Sequence, residues 1–135
     1  MAFNLTNYGA AELLDFTLDI EEAVVRPTAV YLALHSADPT AAGNLNEIGA
    51  GVGYSRQLLT FSSSGSSVAR NTGNTNIITF GPAISGGFTV AYMTIWDSAT
   101  VGNPWWYAPI TNQVVVTGDS YTVLAGQITV TFPAS

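Results

Sequence analysis

The chain has 135 residues, enough for one domain, and 47% of them are hydrophobic, yet no apolar run approaches the ~18 residues that span a membrane. Only 9% of the residues are charged, the net charge is −6, and Lys is absent. Nucleic acids and anionic membranes are bound by several cations on one face, so this composition argues against both as partners.

The acidic residues are concentrated near the N-terminus. Five of the nine lie in the first 22 residues: Glu12, Asp15, Asp19, Glu21 and Glu22. The rest of the chain is therefore poor in charge, as the buried part of a protein–protein interface is. This distribution favours subunit interfaces, with a neutral, hydroxyl-rich β-protein surface as the alternative.

The first predicted element is a helix from about Asn7 to Ile20. Ala10, Leu14 and Leu18 recur at helical spacing, and Pro27 prevents Arg26 from continuing a helix. The sequence predicts an N-terminal helix or arm over residues 1–26 and a β domain over residues 27–135. It favours packing of the helix on its own β domain and leaves docking on a neighbouring subunit open.

After Pro27 the hydrophobic pattern has a period of two, which is typical of β-strands. Strands are predicted over Ala29–His35, Tyr54–Phe61, Ser67–Arg70, Asn76–Phe80, Phe88–Trp96, Trp105–Ile110, Gln113–Val116, Tyr121–Leu124 and Gln127–Phe132. A turn is predicted at Asn71–Asn74 and a long loop from Ser36 to Gly53. The predicted fold is mainly β: a jelly-roll-like β-sandwich of about eight or nine strands with one N-terminal α-helix.

The sequence holds little catalytic chemistry. Its only histidine, His35, is predicted at the exposed end of a strand, where a hydrogen bond beside Asp38 would anchor the loop. No Gly-x-Ser-x-Gly motif occurs, and one histidine without cysteine does not make a zinc site. We predict no enzyme activity, catalytic residue or cofactor, with a structural calcium ion at Asp38, Asp97 or Asp119 as the alternative.

Two adjacent tryptophans, Trp105 and Trp106, lie in a predicted strand. Because successive strand residues point to opposite faces, one indole should enter the core and the other should point outward. The outward indole has three interpretations: it is covered by a second sheet or by the N-terminal helix, it anchors a subunit interface, or it stacks on a carbohydrate.

An ordered set of segments resembles a family of small structural proteins of tailed bacteriophages, described as tail-fibre-like, with relatives that resemble capsid decoration proteins. The segments are Leu5–Tyr8, Glu12–Asp15, Thr28–Thr40, Glu47, Gly53–Gln57, Thr60–Phe61, Ile78–Phe80, Val90–Thr100, Val115–Asp119 and Ala125–Phe132. The chain departs from the family pattern at Asn103–Ala108 and in lacking Lys.

The resemblance implies a virion component without catalysis, made in the cytoplasm of the host bacterium. We expect a capsid cement or decoration protein that stabilises the assembled shell, with a tail-fibre or tail-tip component that binds carbohydrate as the alternative. The expected partners are further copies of the chain, with a trimer favoured, and other virion proteins such as the major capsid protein; a glycan is a further candidate. The candidate contact residues are Tyr8, Leu14, Asp38, Glu47, Trp105 and Trp106.

Overall fold

The computed structural model describes residues 3–20, 26–62 and 71–131. Within these residues the chain forms nine β-strands, one α-helix and a short 3-10 helix at Ala50–Val52. In chain order the elements are β1 (Asn4–Leu5), α1 (Asn7–Leu18), β2 (Val30–His35), β3 (Gln57–Leu59), β4 (Asn71–Gly73), β5 (Ile78–Phe80), β6 (Phe88–Trp96), β7 (Pro104–Val115), β8 (Tyr121–Val123) and β9 (Thr129–Thr131). The prediction of a mainly β chain with an N-terminal helix is confirmed.

The largest sheet has five antiparallel strands in the order β1–β7–β6–β2–β3. Two antiparallel ribbons, β5–β8 and β4–β9, complete the β structure, which is sandwich-like. One hydrophobic core joins the sheet to the ribbons and includes Leu32 and Met93 of the sheet with Phe80, Val123 and Ile128 from the second half of the chain. The sequence prediction of a β-sandwich therefore holds.

Strand β6 lies in the middle of the sheet and is buried along most of its length. A register shift between Val90 and Tyr92 interrupts its alternation, so Val90 and Met93 both reach the core although they are three residues apart. Beyond the shift, Ile95 continues the row that faces the core.

The observed strands differ from the predicted ones in several places. Asn71–Gly73, predicted as a turn, is β4, because a strand distant in sequence supplies its ladder: Asn71 pairs with Thr131. The two strands predicted at 105–110 and 113–116 are one strand, β7, because a bulge opposite β6 absorbs the irregular residues. The predicted Tyr54–Phe61 strand is only Gln57–Leu59, and β1 was not predicted. The strand predicted at 67–70 lies outside the described residues.

Helix α1 ends two residues before the predicted boundary. Asp19 adopts a left-handed conformation, with φ 53° and ψ 42°, and its N–H donates to the carbonyl of Asp15, which terminates the helix. The helix contacts β7 and β1 of its own chain. No helix among the described residues has the length and apolarity needed to cross a bilayer.

Candidate interaction site

The first turn of α1 is fixed to the start of β7 by a buried threonine. The Thr6 hydroxyl accepts a hydrogen bond from the Gly9 N–H at 3.0 Å, which caps the helix, and donates to the Pro104 carbonyl at 2.6 Å. The Thr6 N–H donates to the Trp105 carbonyl at 3.0 Å. One side chain therefore begins the helix and also determines where it starts on the sheet.

The N-terminal half of α1 packs directly on Trp105. Tyr8 meets the Trp105 indole edge to face, with ring centroids 5.3 Å apart. Gly9 allows the close approach, because a Cβ at this position would collide with the Trp105 carbonyl oxygen. The packing of the helix on its own β domain, which the sequence favoured, is what the structure shows.

Trp105 is the tryptophan that points away from the core, and α1 covers it. Its side chain is 8% exposed, and its indole N–H donates to Asp97 Oδ2 at 3.2 Å. This is the first of the three interpretations that the sequence left open. A carbohydrate would reach this indole only if α1 left β7.

Trp106 pairs with Ile95 and is partly buried against the core. The two tryptophans thus point to opposite faces of the sheet, as the period of two predicts. Tyr8 and Trp105 are brought together, whereas Trp106 lies on the other side of β7.

The C-terminal half of α1, and Ile20 just beyond its Asp19 cap, carry apolar side chains that nothing among the described residues covers. We call Leu14, Phe16, Leu18 and Ile20 the helix patch; their exposed fractions are 56%, 70%, 62% and 48%. Beside it, α1 and β1 border an apolar groove of about 420 Å³, lined by Leu5, Ala10, Leu13, Leu14 and Thr17. Exposed apolar surface of this kind typically marks an interaction site.

Glu47, another candidate contact residue, is half-buried in an ion pair with Arg56. The Arg56 Nε and Nη2 atoms donate to the two carboxylate oxygens, each at 2.8 Å. Arg56 Nη1 donates to the carbonyls of Ser98 and Val101 at 3.0 and 2.7 Å, and the guanidinium lies 3.6 Å from the centroid of a Trp96 ring. This pair therefore fastens the 97–103 loop to the sheet.

Burial and hydrogen bonding have opposite effects on the Glu47 carboxyl. Burial alone would raise its pKa, but the hydrogen bonds from Arg56 and from the Tyr54 hydroxyl outweigh this effect and lower the pKa. The same burial and the Glu47 charge raise the pKa of Tyr54. Glu47 is thus held ionised as an internal partner of Arg56.

Asp38 and Asp97 bind backbone groups of their own loops. Asp38 Oδ1 accepts from the Thr40 N–H, and Asp97 Oδ1 accepts from the Asn103 N–H, each at 2.8 Å. Within the part of the chain that the structure describes, no three His, Cys, Asp or Glu residues cluster as a metal site would require.

His35 lies in a different environment from the one predicted. It is fully buried, not at an exposed strand end, because the 36–48 loop folds back over it. Its Nδ1 lies 2.7 Å from the Leu45 carbonyl, not beside Asp38, and its Nε2 lies 2.7 Å from the Thr94 hydroxyl. The histidine does anchor the loop, but through a carbonyl that sequence proximity did not indicate.

A family model matches nearly the whole chain. The model described as "Podophage GP4 fiber I protein gp80" matches residues 4–131. The chain belongs to this family. A comparison with curated proteins gave no match. The gp80 family match confirms the resemblance to small tailed-phage structural proteins and indicates a structural role in the virion.

For this gp80 family member, sequence reasoning missed several features of the candidate site. Leu14 was predicted as a contact residue and is exposed, but the helical spacing gave no sign that Phe16, Leu18 and Ile20 would remain exposed beside it. Arg56 was missed although it is one of only three arginines, a scarcity that could have drawn attention to it. A polar cleft of about 360 Å³ between the end of β7 and β8 had no sequence signal.

Proposed function

We propose that this chain is a non-enzymatic subunit of a phage fibre and acts by binding other virion proteins. The observation that carries the proposal is the fibre-protein family model over residues 4–131. The fibre named in the family description supports this location, and the capsid location that sequence reasoning placed first is equally compatible with the family match. The helix patch supports a binding role, because apolar side chains exposed on one protein are a typical contact surface for another.

The residues that could perform catalysis are engaged in structural contacts, which supports a role without catalysis. His35 is buried between Leu45 and Thr94. Asp38 and Asp97 accept hydrogen bonds from backbone N–H groups, and Glu47 pairs with Arg56. These contacts orient loops of the chain itself, so they leave few groups to act on a substrate.

The proposal includes self-association, with a trimer favoured. The support is the scarcity of charge, 9% of all residues, because symmetric interfaces between subunits bury surface that is poor in charged side chains.

The location of the chain in intact particles tests the proposal. We expect density for the sandwich in the fibres by electron cryomicroscopy, and labelling of fibres by gold-conjugated antibodies against the chain. Particles carrying an amber mutation in its gene are the matched control, and they should lose both signals. If purified wild-type virions did not contain this chain, a structural role would be contradicted altogether.

A capsid cement protein is the second candidate. It is favoured by the short strands and the 12-residue helix, since a fibre shaft is commonly built from long heptad or repeat segments. A cement protein stabilises the shell by binding the assembled form only. In that case the density would lie on the capsid, and particles lacking the chain would release their DNA at a lower temperature.

A further inference from the structure

The helix patch places apolar side chains on opposite sides of α1. Leu14 and Leu18 are four residues apart and share one side, whereas Phe16 points to the other. All three are more than half exposed. Helices that are apolar on more than one side are usually buried on those sides. We therefore expect another surface to cover this half of α1.

A row of carboxylates runs beside the patch. Glu12, Asp15 and Asp19 stand at i, i+3 and i+7, and no ion pair joins them to any described residue. Asp15 and Asp19 lie near the C-terminal end of α1, where the helix dipole is negative and where the last turn has no basic residue. The sequence thus places negative charge where it destabilises the isolated helix.

We propose that the helix patch docks into an apolar groove of a different virion protein, and that lysine or arginine side chains line the rim of that groove. Cations at the rim would neutralise both the three carboxylates and the negative end of α1, while the apolar side chains enter the groove. This inference rests on the proposed function and specifies the chemistry of the partner.

The charges of the chain argue against a second copy as the occupant. The chain has three arginines and no lysine, and Arg56 is already bound to Glu47 and to two loop carbonyls. Two copies meeting through α1 would bring Glu12, Asp15 and Asp19 of one copy close to the same three carboxylates of the other. Anionic lipids would meet the same repulsion.

The adjoining groove of about 420 Å³ gives the contact a second component. It lies between α1 and β1, and Leu14 belongs both to its lining and to the helix patch. An apolar side chain of the partner that enters this groove would be buried against Leu5 and Leu13, which are fixed by the docking of α1 on β7. The contact surface of this chain and that of its partner would then each be apolar at the centre and charged at the rim.

The first experiment measures incorporation of the full chain into particles. Phage genomes encoding Leu14→Asp with Leu18→Asp are compared with wild type, and copies per purified particle are counted by quantitative mass spectrometry. We expect about a tenfold loss, because two leucines that docking would bury become charged. Val114→Asp with Val116→Asp, at exposed valines outside the patch, is the matched control and should leave the count unchanged.

The second experiment separates a partner contact from a structural role. Glu12→Gln, Asp15→Asn and Asp19→Asn together should raise the melting temperature of the purified chain by roughly 3 °C, because Asp15 and Asp19 place negative charge at the negative end of the helix and Glu12 adds repulsion beside them. The same variant should be incorporated about fivefold less, because the cationic rim loses its partners. Asp119→Asn, an exposed acid in a turn, is the control for both readouts.

The outcomes distinguish this inference from the proposed function. Absence of the wild-type chain from virions would refute the proposed function and the inference together. Normal incorporation of the leucine variant, or of the charge-neutral variant, would refute the inference alone. If the leucine variant instead became monomeric in light scattering while the wild type was oligomeric, a second copy would be the occupant and the inference would be wrong.

Discussion

At the scale of single residues, the Thr94 hydroxyl joins two buried rings. The Trp96 indole N–H, which can only donate, gives its hydrogen bond to Thr94 Oγ1 at 2.7 Å. The Leu45 carbonyl, which can only accept, requires a proton on His35 Nδ1, so neutral His35 accepts at Nε2 from the Thr94 hydroxyl. The three hydrogen bonds are therefore donated in one direction: Trp96 donates to Thr94, Thr94 donates to His35, and His35 donates to the Leu45 carbonyl.

Thr94→Val should destabilise the fold by about 3 kcal/mol, because it leaves a buried indole N–H and a buried imidazole nitrogen without partners. Urea unfolding at neutral pH measures this loss. Thr79→Val, at an exposed position of β5, is the matched control and should change the free energy of unfolding by less than about 0.5 kcal/mol. Equal stability of the two variants would contradict the network.

The stability should fall on acidification below the ordinary histidine pKa of 6.5. Burial lowers the pKa of His35 in the fold; the Leu45 carbonyl and Glu47 oppose this, while Arg56 adds to it. On acidification the unfolded chain therefore binds the proton before the folded chain does. The contribution of neutral His35 to the free energy of unfolding is complete above pH 6.5 and is lost as the pH falls below this value, by at most about 1.4 kcal/mol per pH unit.

Urea unfolding between about pH 7.5 and pH 5.5 tests this dependence. His35 is the only histidine, and the loss of the Glu47 contribution begins lower, below the ordinary value of 4.5, because its pKa is lowered in the fold. The NMR signals of the His35 ring supply the second readout and should remain those of the neutral form protonated at Nδ1. A ring that titrated at its ordinary value would disprove the assignment.

Arg56→Lys retains the charge but should cost about 2 kcal/mol, because one ammonium cannot replace a guanidinium that binds a carboxylate and two carbonyls at once. Urea unfolding gives the loss, and hydrogen exchange should show faster opening of the 97–103 loop. Arg26→Lys, at an exposed arginine, should change neither measurement. Unchanged exchange in the loop of the Arg56 variant would mean that the carbonyl contacts contribute little.

At the scale of elements, the docking of α1 on β7 depends on the absence of a side chain. Ala normally stabilises a helix interior by up to about 1 kcal/mol relative to Gly. At position 9 this preference conflicts with tertiary structure, because a Cβ would collide with the Trp105 carbonyl oxygen. The contact between the helix and the sheet therefore requires Gly9 in spite of its helix propensity.

Gly9→Ala should lower the free energy of unfolding by about 2 kcal/mol in spite of the gain in helix propensity, since the helix must shift away from Trp105. Near-ultraviolet circular dichroism should show the change around the indole, and urea unfolding should give the loss. Gly49→Ala is the matched control, because Gly49 has an ordinary extended conformation and the space that an added methyl group would take is open. A stabilised Gly9 variant would show that the helix is not docked on β7.

At the scale of the whole molecule, low charge predicts an oligomer whose stability depends little on salt. Light scattering should give a multiple of 14.1 kDa, with three copies favoured, and the same mass in about 0.1 M and about 1 M NaCl, because few ion pairs are available to be screened. A single-chain mass at both salt concentrations would contradict self-association through charge-poor surface.

Much of the architecture could be predicted because it depends on residues close in sequence. The spacing of Ala10, Leu14 and Leu18 located the helix, and the alternation in Phe88–Trp96 located a central strand, since side-chain direction follows directly from helix and strand geometry. The turn prediction at Asn71–Asn74 failed because Asn and Gly favour turns locally, whereas the ladder of Asn71–Gly73 with β9 is formed by residues about sixty positions away.

The candidate site was predictable in its composition but not in its arrangement. Sequence alone determined that the chain is β-rich, has an acidic N-terminal helix and is poor in charge, because these properties belong to the residues themselves. Only the tertiary structure decided that Tyr8 covers Trp105, that the 36–48 loop buries His35, and that Leu14 and Leu18 remain exposed. Burial is a relation between surfaces distant in sequence, and Thr6 and Pro104, 98 positions apart, come into contact only when the chain folds.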